Sequence, residues 1–157
     1  MKRINKGIIN FLHKQPYTVV STLDEKGYPH NSCKGIVGAD ESGKIYLLDL
    51  YKEKTYENLK KNPKISITAV DEHKFMGFCL KGRGVIVQRN KIRPDVVRSW
   101  EDKLKKRISK RLLKNIKGEK GHPRHPEALL PKPEYLIEAE IREIIDLTPH
   151  HIKEKIN

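Results

Sequence analysis

Cysteine is scarce in this chain and long apolar runs are missing altogether. Cys33 and Cys79 stand far apart with no C-x-x-C spacing, which argues against a disulfide framework or a dithiol redox motif. No stretch approaches the roughly 18 apolar residues that a membrane span needs. The opening MKRINKGIINFLHK is amphipathic, and its apolar stretch is too short for a secretory leader. These absences predict a cytoplasmic protein with free thiols. Seven histidines are present, but His122 and His125 sit in GHPRHP, where two prolines preclude a helical ligand face, so no metal is expected. Hydrophobic residues make up only 36% of the chain against 34% charged, so part of it is solvated surface or packs on something else. At 157 residues the length suits one domain, 1–157, and dimerisation would help it bury a core.

What is abundant is positive charge, and it is local. The net charge is +13, of which 14 basic and four acidic residues between Arg89 and Arg124 contribute +10. The segment from Pro94 to Lys117 shows helical periodicity: Val97, Trp100, Leu104, Ile108, Leu112 and Ile116 form an apolar stripe with lysines and arginines off it. Pro94 suits the first helical position. A basic helical insertion over about 93–118, one helix or two, is therefore expected, with its stripe packed on the rest of the fold.

Elsewhere the period is two. Ile4, Ile8, Phe11 and Leu12 predict a short opening helix that Pro16 ends. Strands follow over Tyr17–Leu23, His30–Ala39, Ile45–Leu48, Lys64–Val70 and Phe75–Gln88, joined by short turns such as Asp24-Glu25-Lys26-Gly27. Gly77, Gly82 and Gly84 inside the last of these mark a bend, a bulge or a close approach. The stretch 118–133 carries four of the nine prolines and reads as an extended excursion. Glu134–Leu147 alternates apolar with charged residues and reads as a sixth strand in preference to a helix, and TPHHIKEKIN as a short helix or tail. The expected fold is mainly β with flanking helices, a six-stranded antiparallel barrel.

The stretch IYLLDLYKEKTYENLKKNP carries the chemistry. A strand end delivers Lys54 and Thr55 to the start of a helix that Pro63 stops, with Thr55 expected as the N-cap. Unpaired first-turn N–H groups, a positive dipole end, an ammonium and a hydroxyl together favour an anion such as phosphate, although a plain capped surface helix would show the same residues. Residues 30–39, HNSCKGIVGA, are small and polar in their first half, as if that end faced a ligand or solvent.

Taken in order, STLDEKGYPHNSCKGIVG, GKIYLLDLYKEKTYENLKKNPKISIT and FCLKGRGVIV resemble the pyridoxamine 5'-phosphate oxidase-like family of flavin-binding split barrels. The resemblance covers roughly residues 10–88. It implies a six-stranded split barrel, a homodimer, and flavin mononucleotide (FMN) at the subunit interface. It also implies that Lys54 and Thr55 hold the FMN phosphate, that Asn31, Ser32, Cys33 and Lys34 line the phosphate and the flavin edge, and that Leu47, Leu48 and Asp49 pass beside the ring through backbone groups. The family's closing R-x-x-R-L-x-P-like signature, which binds the vitamin substrate, is replaced by EIIDLTPHHIKEKIN, so that specificity does not carry over.

The function expected is an FMN-dependent oxidoreductase that passes electrons from a reduced donor to a small, possibly anionic substrate, with no catalytic side chain required. The basic segment from Arg98 to Lys117 is expected near the mouth of the site, where it would select anions. A non-enzymatic flavin carrier or sensor has the same signature. A nucleic-acid-binding module would explain the charge, but the chain carries no motif for it and one face of the basic helix is apolar.

Overall fold

Seven strands form one antiparallel sheet in a computed structural model of the chain, which describes residues 1–118 and 131–153. They are β1 (Thr18–Leu23), β2 (Pro29–Lys34), β3 (Ile36–Ala39), β4 (Lys44–Asp49), β5 (Lys64–Asp71), β6 (Met76–Gln88) and β7 (Tyr135–Asp146). Their order across the sheet is β2-β1-β5-β6-β7-β4-β3. Six strands are expected from the sequence. The seventh arises because His30–Ala39 is two strands, not one, broken at Gly35. β2 pairs with β1 at one edge, and β3 pairs with β4 at the other. A single residue thus links opposite edges, so the sheet must curl until they approach, and the result is a half-barrel.

The curl has a local cause where β6 meets β7, at an extra residue, Arg142, in β7. Register shifts between Lys81 and Gly82 against β7, a β-bulge. A Cβ on Gly82 would lie 2.0 Å from the Glu140 carbonyl oxygen, so only glycine allows the strands to approach there. β7 is the strand expected over 134–147, and the helical alternative fails because both its edges are paired, to β4 and to β6.

Helices α1 (Lys6–Lys14) and α2 (Lys54–Lys61) plug the concave side. Asn5 caps α1 by accepting the Ile8 N–H at 2.8 Å. Ile4, Phe11 and Leu12 bury themselves against Val20, Ile67, Leu80 and Ile137 in the main core. From α2, Leu59 enters the same core, while the buried Asn58 amide donates to the Thr22 hydroxyl at 3.0 Å and fixes the helix on β1.

The expected basic helix is one continuous element, α3 (Pro94–Ile116), with Pro94 in its first turn. It lies on the convex side, where Val96 and Trp100 cover a second small core of Val37, Leu48 and Leu136. The first turns dock as expected, with Val97, Trp100, Leu104 and Ile108 half-buried, but the last turns do not. None of its residues is fully buried. Beside those apolar contacts a polar row also meets the body: the Ser99 hydroxyl donates to the Val37 carbonyl at 2.9 Å, Lys103 to the Ile36 carbonyl at 2.5 Å, and Arg107 to the Pro16 carbonyl. This row flanks the apolar stripe, so the stripe turns away from the body along the helix, and Leu112 and Ile116 are 49% and 73% exposed. A four-residue helix, α4 (His150–Lys153), follows β7. Residues 119–130 of the Pro-rich excursion, His122 and His125 among them, lie outside the described residues. No described helix is long and apolar enough to cross a membrane.

Candidate functional site

Because one residue joins the sheet edges, the end of β2 is brought against the end of β4 and the start of α2. His30, Ser32 and Lys34 share the more covered face of β2, with the period of two that a strand imposes. The Ser32 and Thr55 hydroxyls are 3.1 Å apart, and Thr55 is buried. Thr55 is not the N-cap. The first helical bond runs from the Glu57 N–H to the Glu53 carbonyl at 3.1 Å, so Glu53 is the cap and Thr55 the second helical residue. Glu53 makes no side-chain cap, and the amides of residues 54–56 precede the first intrahelical bond. A cavity of about 230 Å³ opens there, lined by His30, Ser32, Lys34, Asp49, Lys54 and Thr55 among others.

A second cavity, of about 250 Å³, lies between the β2–β3 break, the end of β4 and α3. The two share Cys33, Lys34, Asp49 and Tyr51, so they adjoin as one trough. Lys34 and Asp49 form an ion pair at the junction, with side chains only 8% and 14% exposed. The same Asp49 oxygen accepts the Tyr135 hydroxyl at 2.5 Å, and the other carboxylate oxygen takes the Leu50 N–H at 2.9 Å. Such a buried pair needs further hydrogen bonds to be tolerated, and Asp49 receives two. Burial, and then the bond to Asp49, pushes the Tyr135 phenol well above its ordinary pKa. The far wall is α3, through Trp100, Lys103, Leu104 and Arg107.

The sequence-predicted residues thus separate into two groups. Ser32, Cys33, Lys34, Asp49, Lys54 and Thr55 come together on the trough, and Leu48 lines its second half. Asn31 is exposed on the other face of β2, and Leu47 turns into the main core with no exposure, so neither lines the trough. His30, Tyr51 and Tyr135 were not anticipated. The alternation with Ser32 and Lys34 could have revealed His30. Tyr135 had no local signal, because it meets Asp49 only through the β4–β7 pairing.

A family model described as pyridoxamine 5'-phosphate oxidase matches residues 4–146, nearly the whole chain. The chain belongs to that family. Among curated proteins no match was found. Several solved structures share the fold. HupZ of Group A Streptococcus, 18% identical, covers 92% of this chain and 94% of its own with a TM-score of 0.62. A pyridoxamine 5'-phosphate oxidase-related FMN-binding protein of Nostoc punctiforme, 13% identical, covers 90% and 82% with a TM-score of 0.60. A Clostridium acetobutylicum protein related to general stress protein 26, 21% identical, covers 95% and 99% with a TM-score of 0.54. At these identities the likeness is one of fold.

Proposed function

We propose that the protein is an FMN-dependent oxidoreductase of the pyridoxamine 5'-phosphate oxidase type, working as a homodimer. The observation that carries the reading is the uncapped start of α2, where Lys54 and the Ser32–Thr55 hydroxyl pair border the smaller cavity. The chemistry of these groups fits a phosphate dianion: amide donors at a positive dipole end, two hydroxyls and an ammonium. Only the two cavities together, about 230 and 250 Å³, reach the size of a small-molecule site, roughly 300 to 1,000 Å³, so phosphate and ring would share the whole trough. The FMN-binding Nostoc relative supports the same choice.

In this reading Lys54, Thr55, Ser32 and the first-turn amides hold the phosphate, and the Lys34–Asp49–Tyr135 chain stiffens the wall beside the ring. Trp100 and Leu104 limit water on the α3 side. Bound FMN supplies hydride and single-electron chemistry that no side chain here offers. The cations of α3 raise the local concentration of anionic substrates or donors. The purified protein is expected to show flavin absorbance near 370 and 450 nm, roughly the usual bands of the cofactor. Lys54→Ala is expected to weaken FMN by about 1.5–3 kcal/mol, the scale of a hydrogen bond to a charged group, while leaving riboflavin affinity nearly unchanged. A colourless protein that fails to quench added FMN at micromolar concentration overturns the proposal.

A further inference from the structure

The α3 wall of the trough holds a lysine in an unusual setting. Lys103 Nζ is 2.5 Å from the Ile36 carbonyl oxygen and 3.2 Å from His13 Nδ1, on α1. Among the described residues no carboxylate pairs with it; of the three acids of α3, Asp95 goes to Arg93 and Asp102 to Lys105, and Glu101 is exposed. The groups around it are His13, then Arg107 and Lys106 on its own helix, and across the cavity the mutually neutralised Lys34 and Asp49. A neutral amine has two N–H groups and one lone pair. Two acceptors, the Ile36 carbonyl and His13, can take both hydrogens and leave the lone pair unused, so the uncharged form loses no hydrogen bond here.

We propose that Lys103 is a nucleophilic amine that forms a reversible imine with a small aldehyde or ketone carrying an anionic group, with His13 as proton acceptor and Arg107 as partner for the anion. Arg107 is placed for this by the strand break: its guanidinium lies 3.1 Å from where a Cβ on Gly35 would stand, and it lines the same cavity. The step balances without an oxidant. His13 takes a proton from the ammonium, Nζ attacks the carbonyl carbon, and the C–N bond forms. The carbonyl oxygen leaves as water with two protons from nitrogen. Burial, with Arg107 and Lys106 beside it, pulls Lys103 down to about 8, and burial and then Lys103 lower His13, so His13 is already neutral and able to accept where Lys103 gives up its proton.

The inference names a substrate class for the trough of the proposed oxidoreductase, but the amine chemistry needs no flavin. The test is trapping of 4-carboxybenzaldehyde and of neutral benzaldehyde with cyanoborohydride on the full chain, flavin-loaded and flavin-stripped, with peptide mapping by mass spectrometry. Lys103 is expected to label at least about tenfold faster than exposed Lys105, with the rate rising to a midpoint near pH 8. Arg107→Gln is expected to erase the preference for the carboxylated probe. Lys103→Arg, which keeps the charge, is expected to lose the label while melting as the parent does. Labelling ordered by exposure, with Lys105 and Lys110 leading, or a midpoint near the ordinary lysine value of about 10.4, overturns the proposal. If Lys103 labels but FMN never binds, the flavin reading fails alone; if FMN binds and Lys103 stays unlabelled, only the imine site falls.

Discussion

Tyr135 shows how one hydroxyl ties together a site assembled from three strands. Its ring is fully buried edge-on against Tyr56, with centroids 5.0 Å apart, and its proton satisfies Asp49, which in turn holds Lys34. Tyr135→Phe removes that donor without opening a large void. It is expected to cost about 1–3 kcal/mol, the penalty for leaving a buried acceptor short, read by urea unfolding at pH 7. The sign at high pH follows from the raised phenol pKa. The folded state keeps a proton that the unfolded chain begins to lose near pH 10, so stability conferred by Tyr135 is complete below that value and declines as pH rises. The parent should therefore lose stability above about pH 10 more steeply than the Phe variant. Parallel slopes would show that Tyr135 titrates normally.

At the scale of elements, periodicity revealed most of what local physics decides. The opening helix, the strands around short turns, the Pro94 helix start and the glycine-marked bend in β6 are all local consequences of side-chain spacing. Two features escaped because they depend on partners distant in sequence. The break at Gly35 is invisible in HNSCKGIVGA, since only the pairing of its halves to β1 and β4 shows that the chain changes edges. The polar part of the α3 docking face escaped for the same kind of reason: Ser99, Lys103 and Arg107 bond to backbone carbonyls, which leave no trace in hydrophobic patterning. For the candidate site, the meeting of Lys54 and Thr55 at a helix start was legible from residue type and order, but Thr55 as its cap was not borne out, Ser32 entered through the family resemblance, and Tyr135 had no local signal. The bulge at Gly82 offers a direct check. Gly82→Ala forces a Cβ onto a backbone carbonyl that cannot move without breaking the β6–β7 ladder, and is expected to cost about 1–3 kcal/mol or more, the range for overpacking. Gly27→Ala tests strain without crowding, because its φ of +84° is unfavourable for alanine while nothing lies within 4 Å of the added Cβ. If the two variants melted alike, close strand approach would not be what Gly82 provides.

For the whole molecule, the question is what meets the far end of α3. From Lys103 to Lys117 the helix carries eight basic residues and no acidic one, and beside them Leu112, Leu113 and Ile116 are 49%, 58% and 73% exposed. Full burial of such side chains is worth roughly 1.5–3 kcal/mol each, so a lone copy forgoes a substantial gain. A second copy is the expected cover, in keeping with a trough whose α3 wall ends at this uncovered face. Sedimentation velocity at micromolar concentration should then give twice the 18.2 kDa of one chain. Leu113→Ser with Ile116→Ser should shift the protein toward monomer and lower its flavin content together. If the apolar ends of two α3 helices meet, their flanking cations are brought close, and salt should tighten the dimer because screening relieves repulsion over about 10 Å at 0.1 M. A monomer that retains FMN tightly would sink this arrangement. A dimer that loosens with salt would instead place α3 against an acidic surface of the partner.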